Sequence, residues 1–444
     1  MAKTISEKKS QHSTYSIFLF FLLTMLISIF SISSDVNAGG DEVLEELKAL
    51  KTRIEQLEKK LAEQDTKIEK QVTKLEEQGT SLEDLKGIKD ALGSLEFSLG
   101  ATSVIQGTIN SDRNSTKAPG LAGKGDDTDV NYSVDLEITS KIGEHGMALL
   151  YLEAGEGEGL NSEAGGLTGV NADAPMDDAD VQVSEVWYEH NFMNDTLVAT
   201  IGKMDVTRWL DGNAVANDEC GQFLSDMFVN NITVAWPDYA YGARVSFYPG
   251  DMLEFNTTMV EADSDFEDLF DDNFFMVEAV LKPKLGELEG NYRFYAWRNS
   301  GEHTKLRVGS RTDKSGEGFG LSFDQQVSEN ITGFLRWGTA NDDIYAVRRS
   351  WSLGFQLAGA MWGRDDDMFG LAFGRAETSE SYRQTLRDAG FGTTPAESRL
   401  EAYYSYRVND NLAISPDVQW VDGLAGASNS DAITILGVRA QLDF

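Results

Sequence analysis

Cysteine is almost missing from this chain of 444 residues: Cys220 stands alone, so no internal disulfide can form. An oxidising compartment is allowed by that count without being indicated. Histidine is scarce too, at four residues, and one of them, His12, lies near the start. A histidine-based metal cluster or catalytic triad is excluded on supply, and neither His145 nor His190 has a serine partner that would make a nucleophile–base pair. No enzyme, cofactor or metal centre is expected. Basic residues are outnumbered 73 to 38, for a net charge of −35. Nucleic acid is thereby excluded as a partner, because neutralising phosphates needs clustered Lys and Arg. Long apolar runs are nearly absent as well. The one candidate, Ile17 to Ile32, falls short of the ~20 residues a spanning helix needs. If the chain crosses a membrane, it must do so as a closed barrel, in which every backbone group is paired.

That one apolar run follows Lys3, Lys8 and Lys9 and precedes Val36-Asn37-Ala38, the layout of a secretory signal peptide over 1–38, cut after Ala38. Residues 39–92 then carry a heptad pattern. Leu47, Ile54, Leu61, Ile68, Leu75 and Leu82 recur every seventh residue, beside a second seam through Val43, Leu50, Leu57, Gln64, Gln71, Gln78, Leu85 and Leu92. The spacing predicts an α-helical coiled coil of about 75 Å at 1.5 Å per residue. Its three successive glutamines are the kind of core polar residue that fixes register and oligomer number, and a homotrimer is the preferred reading. A lone helix folding back on another element is the alternative.

From 93 to 444 the period becomes two. The last segment shows it best: Thr434, Leu436, Val438, Ala440, Leu442 and Phe444 alternate with Ile433, Ile435, Gly437, Arg439, Gln441 and Asp443. One apolar face and a terminal phenylalanine are expected of the closing strand of an outer-membrane β-barrel, with Phe444 as the signal to the barrel-assembly machinery and the apolar face against outer-membrane lipid. Sixteen antiparallel strands are predicted, at 95–109, 130–142, 146–154, 182–192, 196–204, 241–248, 252–261, 273–283, 287–297, 317–326, 331–339, 350–360, 368–376, 398–407, 411–421 and 432–443. Short connections, such as 143–145 and 193–195, alternate strictly with long ones, such as 155–181 and 205–240. Short periplasmic turns and long external loops produce that alternation, and it places both chain ends, with the coil, on the periplasmic side.

Faces follow from parity. Val130, Tyr132, Val134, Leu136 and Ile138 should meet lipid, with Asn131, Ser133, Asp135 and Glu137 in the lumen. Tyr241, Val245 and Phe247 point out, and Arg244 points in. Leu288, Tyr292 and Phe294 point out, with Glu289, Asn291 and Arg293 inside. Leu400, Tyr404 and Tyr406 point out, with Arg399, Glu401, Tyr403 and Arg407 inside. Segment 196–204 does not resolve into two faces. A polar interior and sixteen strands mean an aqueous channel.

A channel needs a constriction whose charges and donors decide what passes. The longest loop, 205–240, is too long for a simple connector. It carries Asp205, Arg208, Asp211, Asn213, Asn217, Asp218, Glu219 and Gln222 beside Trp209 and Phe223, a mixture of donors, acceptors and aromatic faces suited to sugars. Folding inward is the preferred reading of this loop; lying over the rim with its charges in bulk water is the alternative. Arg208, Arg244, Arg293, Arg399 and Arg439 are the basic candidates for the constriction, and Glu185, Glu289 and Glu401 the acidic ones. The acidic stretches Asp173–Asp180 and Asp263–Asp272 read first as solvated loops and second as places where divalent ions bridge to lipopolysaccharide phosphates; none has the spacing of a Ca²⁺-binding EF loop. Cys220 reads as a small buried filler.

Two blocks carry a resemblance. Ile201-Gly202-Lys203-Met204-Asp205, Asp211, Asn213, Ala216-Asn217-Asp218, Gln222-Phe223-Leu224, Phe228 and Asn230-Asn231 form the first. Ile414-Ser415-Pro416-Asp417-Val418-Gln419-Trp420, Leu436-Gly437-Val438-Arg439 and Phe444 form the second. Together they resemble the carbohydrate-selective porin (OprB-type) family over 93–444. The resemblance implies a sixteen-stranded outer-membrane porin with a narrow charged eyelet favouring sugars, often lined by arginines and a glutamate. Coil-bearing relatives implied by the same resemblance include ones that pass inorganic ions. Three functions are therefore carried forward: a porin for small hydrophilic solutes, carbohydrates first; a cation-preferring general porin; and a tether in which the coil reaches peptidoglycan.

Overall fold

The computed structural model describes residues 95–109, 126–174, 181–267, 271–306, 311–312, 315–428 and 431–444, together with Lys59. The chain divides into two units, Met1–Ala91 and Leu92–Phe444. The expected signal peptide and coiled coil, Lys59 apart, lie outside the described residues.

The second unit is a closed antiparallel barrel of sixteen long strands. They are β1 Leu95–Ile109, β2 Thr128–Ile142, β3 Gly146–Glu156, β4 Gln182–Phe192, β5 Leu197–Met204, β6 Ala240–Gly250, β7 Leu253–Glu261, β8 Asn273–Leu281, β9 Leu288–Asn299, β10 Gly316–Ser328, β11 Ile331–Ala340, β12 Val347–Ala358, β13 Met368–Thr378, β14 Ala396–Asn409, β15 Leu412–Asp422 and β16 Ile433–Asp443. Each pairs with its sequence neighbours, and β1 pairs with both β2 and β16. That last ladder removes the sheet edge. It finishes in a reciprocal pair at the chain end, Leu99 N–H donating to Phe444 O at 3.1 Å and Phe444 N–H to Leu99 O at 2.9 Å.

All sixteen segments expected from the sequence are strands, with ends displaced by up to three residues. The largest displacement is at the start of β12, which begins three residues earlier than expected at Val347; its last two expected residues instead start a 3-10 turn, Gly359–Trp362. Among the described residues, three short helices absent from the sequence reading sit inside long loops: α1 Asn161–Ala164, α2 Asp226–Val229 and α3 Glu380–Asp388. Among these, α3 is capped by Ser379, which accepts from Tyr382 N.

The two faces separate as parity predicts. Val130, Tyr241, Phe247, Phe294, Leu400, Leu436 and Val438 are exposed on the outside. Asn131, Arg244, Ser246, Arg399, Glu401 and Arg439 are buried on the inside. The unresolved strand β5 turns Val198, Thr200 and Met204 inward and exposes Ile201. Its lumen face is apolar because Met204 joins an internal cluster with Leu149, Trp187, Val206, Leu210, Val260, Phe274, Met276, Tyr295 and Trp297. A second internal cluster unites Val215, Phe223, Met227 and Phe228 with Phe334, Ala372 and Tyr403 of the wall. The interior is therefore not polar throughout; where a loop lies against the wall, the wall is apolar.

Leu353 lies mid-strand on the outer face of β12, between Leu335 and Phe373 of the adjoining strands. Leu353→Arg should cost about 2–4 kcal/mol of barrel stability in a bilayer, as charged groups do near the midplane. Urea unfolding in liposomes measures this; an unchanged midpoint would mean that this face does not meet lipid.

Candidate functional site

The loop between β5 and β6 enters the lumen at Asp205. Asp205 caps a 3-10 turn, Val206–Arg208, by accepting from Thr207 N at 2.8 Å and Thr207 Oγ1 at 2.6 Å. The turn aims Arg208 at Glu185, whose Oε1 it meets through Nη2 at 2.6 Å and Nε at 3.0 Å, with Glu137 at 3.4 Å. Glu185 is available because β4 carries a bulge opposite Tyr151 and Leu152, which turns Ser184 and Glu185 inward in succession. Trp209 then packs edge-on against Trp187 at 5.5 Å, with the Arg244 guanidinium 4.5 Å from its ring centroid.

Asp211 is the loop's principal anchor. It adopts a left-handed conformation at φ 57°. Its buried carboxylate accepts from Arg336 Nε at 3.1 Å, Tyr295 OH at 2.8 Å and Asn231 N at 2.6 Å, while its own N–H donates to Glu278 at 2.9 Å. Arg336, on β11, also donates to the carbonyls of Phe228 at 2.9 Å, Asp211 at 3.0 Å and Ala216 at 3.0 Å. Asn213 donates to Ser322 Oγ at 3.1 Å, and Asn231 to Trp337 O at 3.0 Å. Gly338 leaves room for that contact; a Cβ there would collide with Asn231 and Thr233. Glu401 accepts from Leu224 N at 2.6 Å and Ser225 N at 3.0 Å, and Arg439 donates to Glu219 O at 2.6 Å. Of the two readings of this loop, the inward fold is the one observed.

A second loop, between β3 and β4, also folds inward. Arg399 donates to Thr168 O and to Gly169 O, the latter at 3.3 Å. Glu397 accepts from Leu167 N at 2.8 Å and Thr168 Oγ1 at 3.2 Å, and Gln419 donates to Val170 O at 2.8 Å. The two loops are joined directly. Ala172 N donates to Leu224 O at 2.7 Å, Gly169 N to Asp226 at 2.9 Å, and Ser225 Oγ to Gly169 O at 2.9 Å.

Between these loops and the wall lie two open chambers. The larger, of about 510 Å³, is lined by Tyr151, Glu153, Glu185, Asp205, Thr207, Arg208, Asn217, Asp218, Glu219, Cys220 and Tyr239. The smaller, of about 340 Å³, is lined by Leu167, Thr168, Asp226, Asn231, Ile232 and Trp236. Ala172, Val229 and Asn230 line both and so stand between them. Asn230 Nδ2 has no hydrogen-bond partner there. Burial, with Asp218, Asp173 and Asp205 nearby, pushes the Glu219 carboxyl up to about 8.

The candidates read from sequence thus divide. Asp205, Arg208, Asn217, Asp218 and Glu219 line the larger chamber. Asp211, Asn213, Arg399, Glu401 and Arg439 tie loops to the wall. Arg244 is buried against Trp209 and Glu189, the latter at 3.2 Å. Arg293 pairs with Asp324 at 2.8 Å beside Gly212. Glu289 stands apart: it is exposed next to the turn before β9, paired with Lys284 at 2.9 Å. Cys220 is half-buried on the chamber wall and donates to Asp173 at 3.4 Å, rather than filling a core. Arg336, Glu397, Ala172 and Asn230 had not been singled out as pore residues. The length argument applied to 205–240 holds equally for 155–181 and would have pointed to Ala172.

Residues 122–444 match the model of the family described as carbohydrate-selective porin, OprB family. The chain belongs to that family. In fold, the OprB-family barrel is similar to the high-pH structure of Pseudomonas putida OprB, with a TM-score of 0.69, 16% identity, and coverage of 80% of this chain and 96% of that one. The Porin AaxA of Chlamydia trachomatis is 21% identical over 272 residues, 58% of this chain and 55% of its own length. An uncharacterized protein of Nostoc sp. is 30% identical over 137 residues, 29% of this chain and 22% of its own. The matched regions therefore span 55% or less of those two relatives.

Arg336→Met would strand Asp211 as a buried, unpaired charge, and breaking such a pair costs about 3–5 kcal/mol. Chemical unfolding should show that loss, and single-channel records should show larger, noisier openings as the loop loosens. Asp211→Asn in the same chain should recover part of the stability. A quiet channel of normal stability in Arg336→Met would remove this pair as the loop's anchor.

Proposed function

We propose that the chain is a passive porin of the bacterial outer membrane, passing small hydrophilic solutes, carbohydrates first among them, through the neck between its two inward loops. The observation that carries this reading is the pair of adjacent chambers, the larger one polar, that share Ala172, Val229 and Asn230. Donors and acceptors stand there beside the aromatic faces of Tyr151, Tyr239 and Trp236, a combination that can bind hydroxyls and the less polar faces of a sugar ring. Arg208, at the chamber wall, is the proposed selectivity residue. The family description supports the carbohydrate assignment.

A second reading has its own support. Glu153, Asp205 and Asp218 line the larger chamber, whose one basic residue, Arg208, is paired with Glu185; this favours cations by raising their local concentration. The tether reading, the homotrimer and the contact with peptidoglycan rest on the heptads of 39–92. Phe444 as the assembly signal rests on the pattern of β16.

Single-channel recording in planar bilayers, with a salt gradient and a sugar titration, separates the readings. Sugar-dependent block that Arg208→Ala alters supports the carbohydrate porin; strongly cation-selective, sugar-insensitive currents support the second reading. No current from folded barrels would refute both. A pH series tests the charge of the chamber. Glu219 is neutral below a value of about 8 and charged above it, so cation preference should rise with pH through that range. Reversal potentials in Glu219→Gln should stay flat across the same interval. A wild-type channel equally flat there would mean that Glu219 does not face the permeating ions.

A further inference from the structure

Outside the channel, β7 ends in an acidic hook. Glu261, the last residue of the strand, is 2% exposed, while Asp263 and Asp265 in the following loop are both exposed. One carboxylate oxygen from each of the three lies within 4.8 Å of the others. Three carboxylates this close repel one another unless a cation or protons intervene. Among the described residues, none of the three makes a salt bridge with a lysine, arginine or histidine. Lys203 is nearby, but its Nζ donates to Val183 O at 2.7 Å and sits 5.3 Å from the Phe266 ring centroid.

The buried member supplies an independent sign. Glu261 Oε2 accepts from Phe266 N at 3.1 Å, but its Oε1 is buried with no hydrogen-bond partner. An ionised carboxylate oxygen left bare in a buried place is costly, and a ligand that takes it up removes that cost. A hard cation is the ligand whose chemistry fits an all-oxygen set. One oxygen from each of the three is close enough to the others for a single ion to bridge them, and Ca²⁺ accepts such oxygen sets in flexible geometry. The alternate positions 261, 263 and 265 repeat the spacing of the first three side-chain ligands of calcium loops. Mg²⁺ demands shorter bonds and near-ideal octahedral geometry, which a half-exposed loop provides less readily.

We propose that Glu261, Asp263 and Asp265 form a Ca²⁺ site, independent of the permeation path, that fixes the β7–β8 loop. Ser264 Oγ donates to Asp238 O at 3.2 Å, so the fixed loop would also brace the last residues of the constriction loop before β6.

The test is isothermal titration of the full chain, purified in detergent and stripped with EDTA, with CaCl₂ and separately with MgCl₂. One Ca²⁺ per chain should bind with a dissociation constant of about 10⁻⁴–10⁻³ M, as in extracellular calcium modules. Asp263→Asn/Asp265→Asn removes two charges from accessible positions and leaves the buried Glu261 in place, so the barrel should fold; heat-modifiable mobility checks that it has. This variant should bind roughly tenfold more weakly or not at all. Asp271→Asn/Asp272→Asn, with the same change in net charge, should bind like the parent chain. Absence of saturable Ca²⁺ binding would overturn the proposal. So would equal losses in both variants, undiminished binding in Asp263→Asn/Asp265→Asn, or binding of Mg²⁺ in preference to Ca²⁺.

Discussion

The Arg336 guanidinium holds the constriction together. From one place on the wall it binds Asp211, Ala216 and Phe228, residues drawn from the early, middle and late parts of the loop between β5 and β6. A planar group with five donors in fixed directions can do this; an ammonium on a flexible stem cannot hold the same geometry. Ordering so long a loop costs conformational entropy residue by residue, and scattered weak contacts would return little of it. The buried Arg336–Asp211 pair also costs desolvation, offset here because Tyr295 and the Asn231 N–H complete the carboxylate's partners. What the pair adds is definition: one loop path, and hence one neck.

The residues between the two chambers belong to two loops at once. Ala172 comes from the β3–β4 connection and Val229–Asn230 from the β5–β6 connection, and the hydrogen bond from Ala172 N to Leu224 O locks them together. Glu397 and Arg399 hold the first loop, and Glu401, two residues further along the inward face of β14, holds the second. A single strand therefore sets the relative position of both halves of the passage. A substitution at β14 should be felt at Asn230 although it touches no solute.

How much of this was legible depends on which physical signal each residue leaves in the sequence. Period two assigned Arg399, Glu401 and Arg439 to the lumen, and they are there. Parity could not say that their charges are taken up by loop backbone, because it records a face and neither a height nor a partner. Glu289 shows the same gap from the other side: its strand was identified, but its place beside the Lys284 turn removes it from the constriction. Strand β5 defeated the parity argument because Val198 and Met204 face the lumen under a loop, where burial wants apolar side chains. The coil and the signal peptide, read from heptads and an apolar run, stay expectations of sequence alone.

Charge shows why composition is a poor guide to what such a channel selects. The chain carries a net charge of −35, yet many interior carboxylates are already engaged. Asp211 faces Arg336, Glu397 faces Arg399, and Glu401 and Glu278 accept backbone N–H groups. Arg208 is likewise shared between Glu185 and Glu137. Paired charges cast little field into the passage, so a permeating ion responds mainly to Glu153, Asp205 and Asp218, joined by Glu219 only at high pH. Desolvation pushes the Glu219 carboxyl up, to about 8, which thins that set further. An interior whose charges are spent largely on holding its own loops leaves hydrogen-bonding groups, more than net charge, to distinguish solutes at the neck.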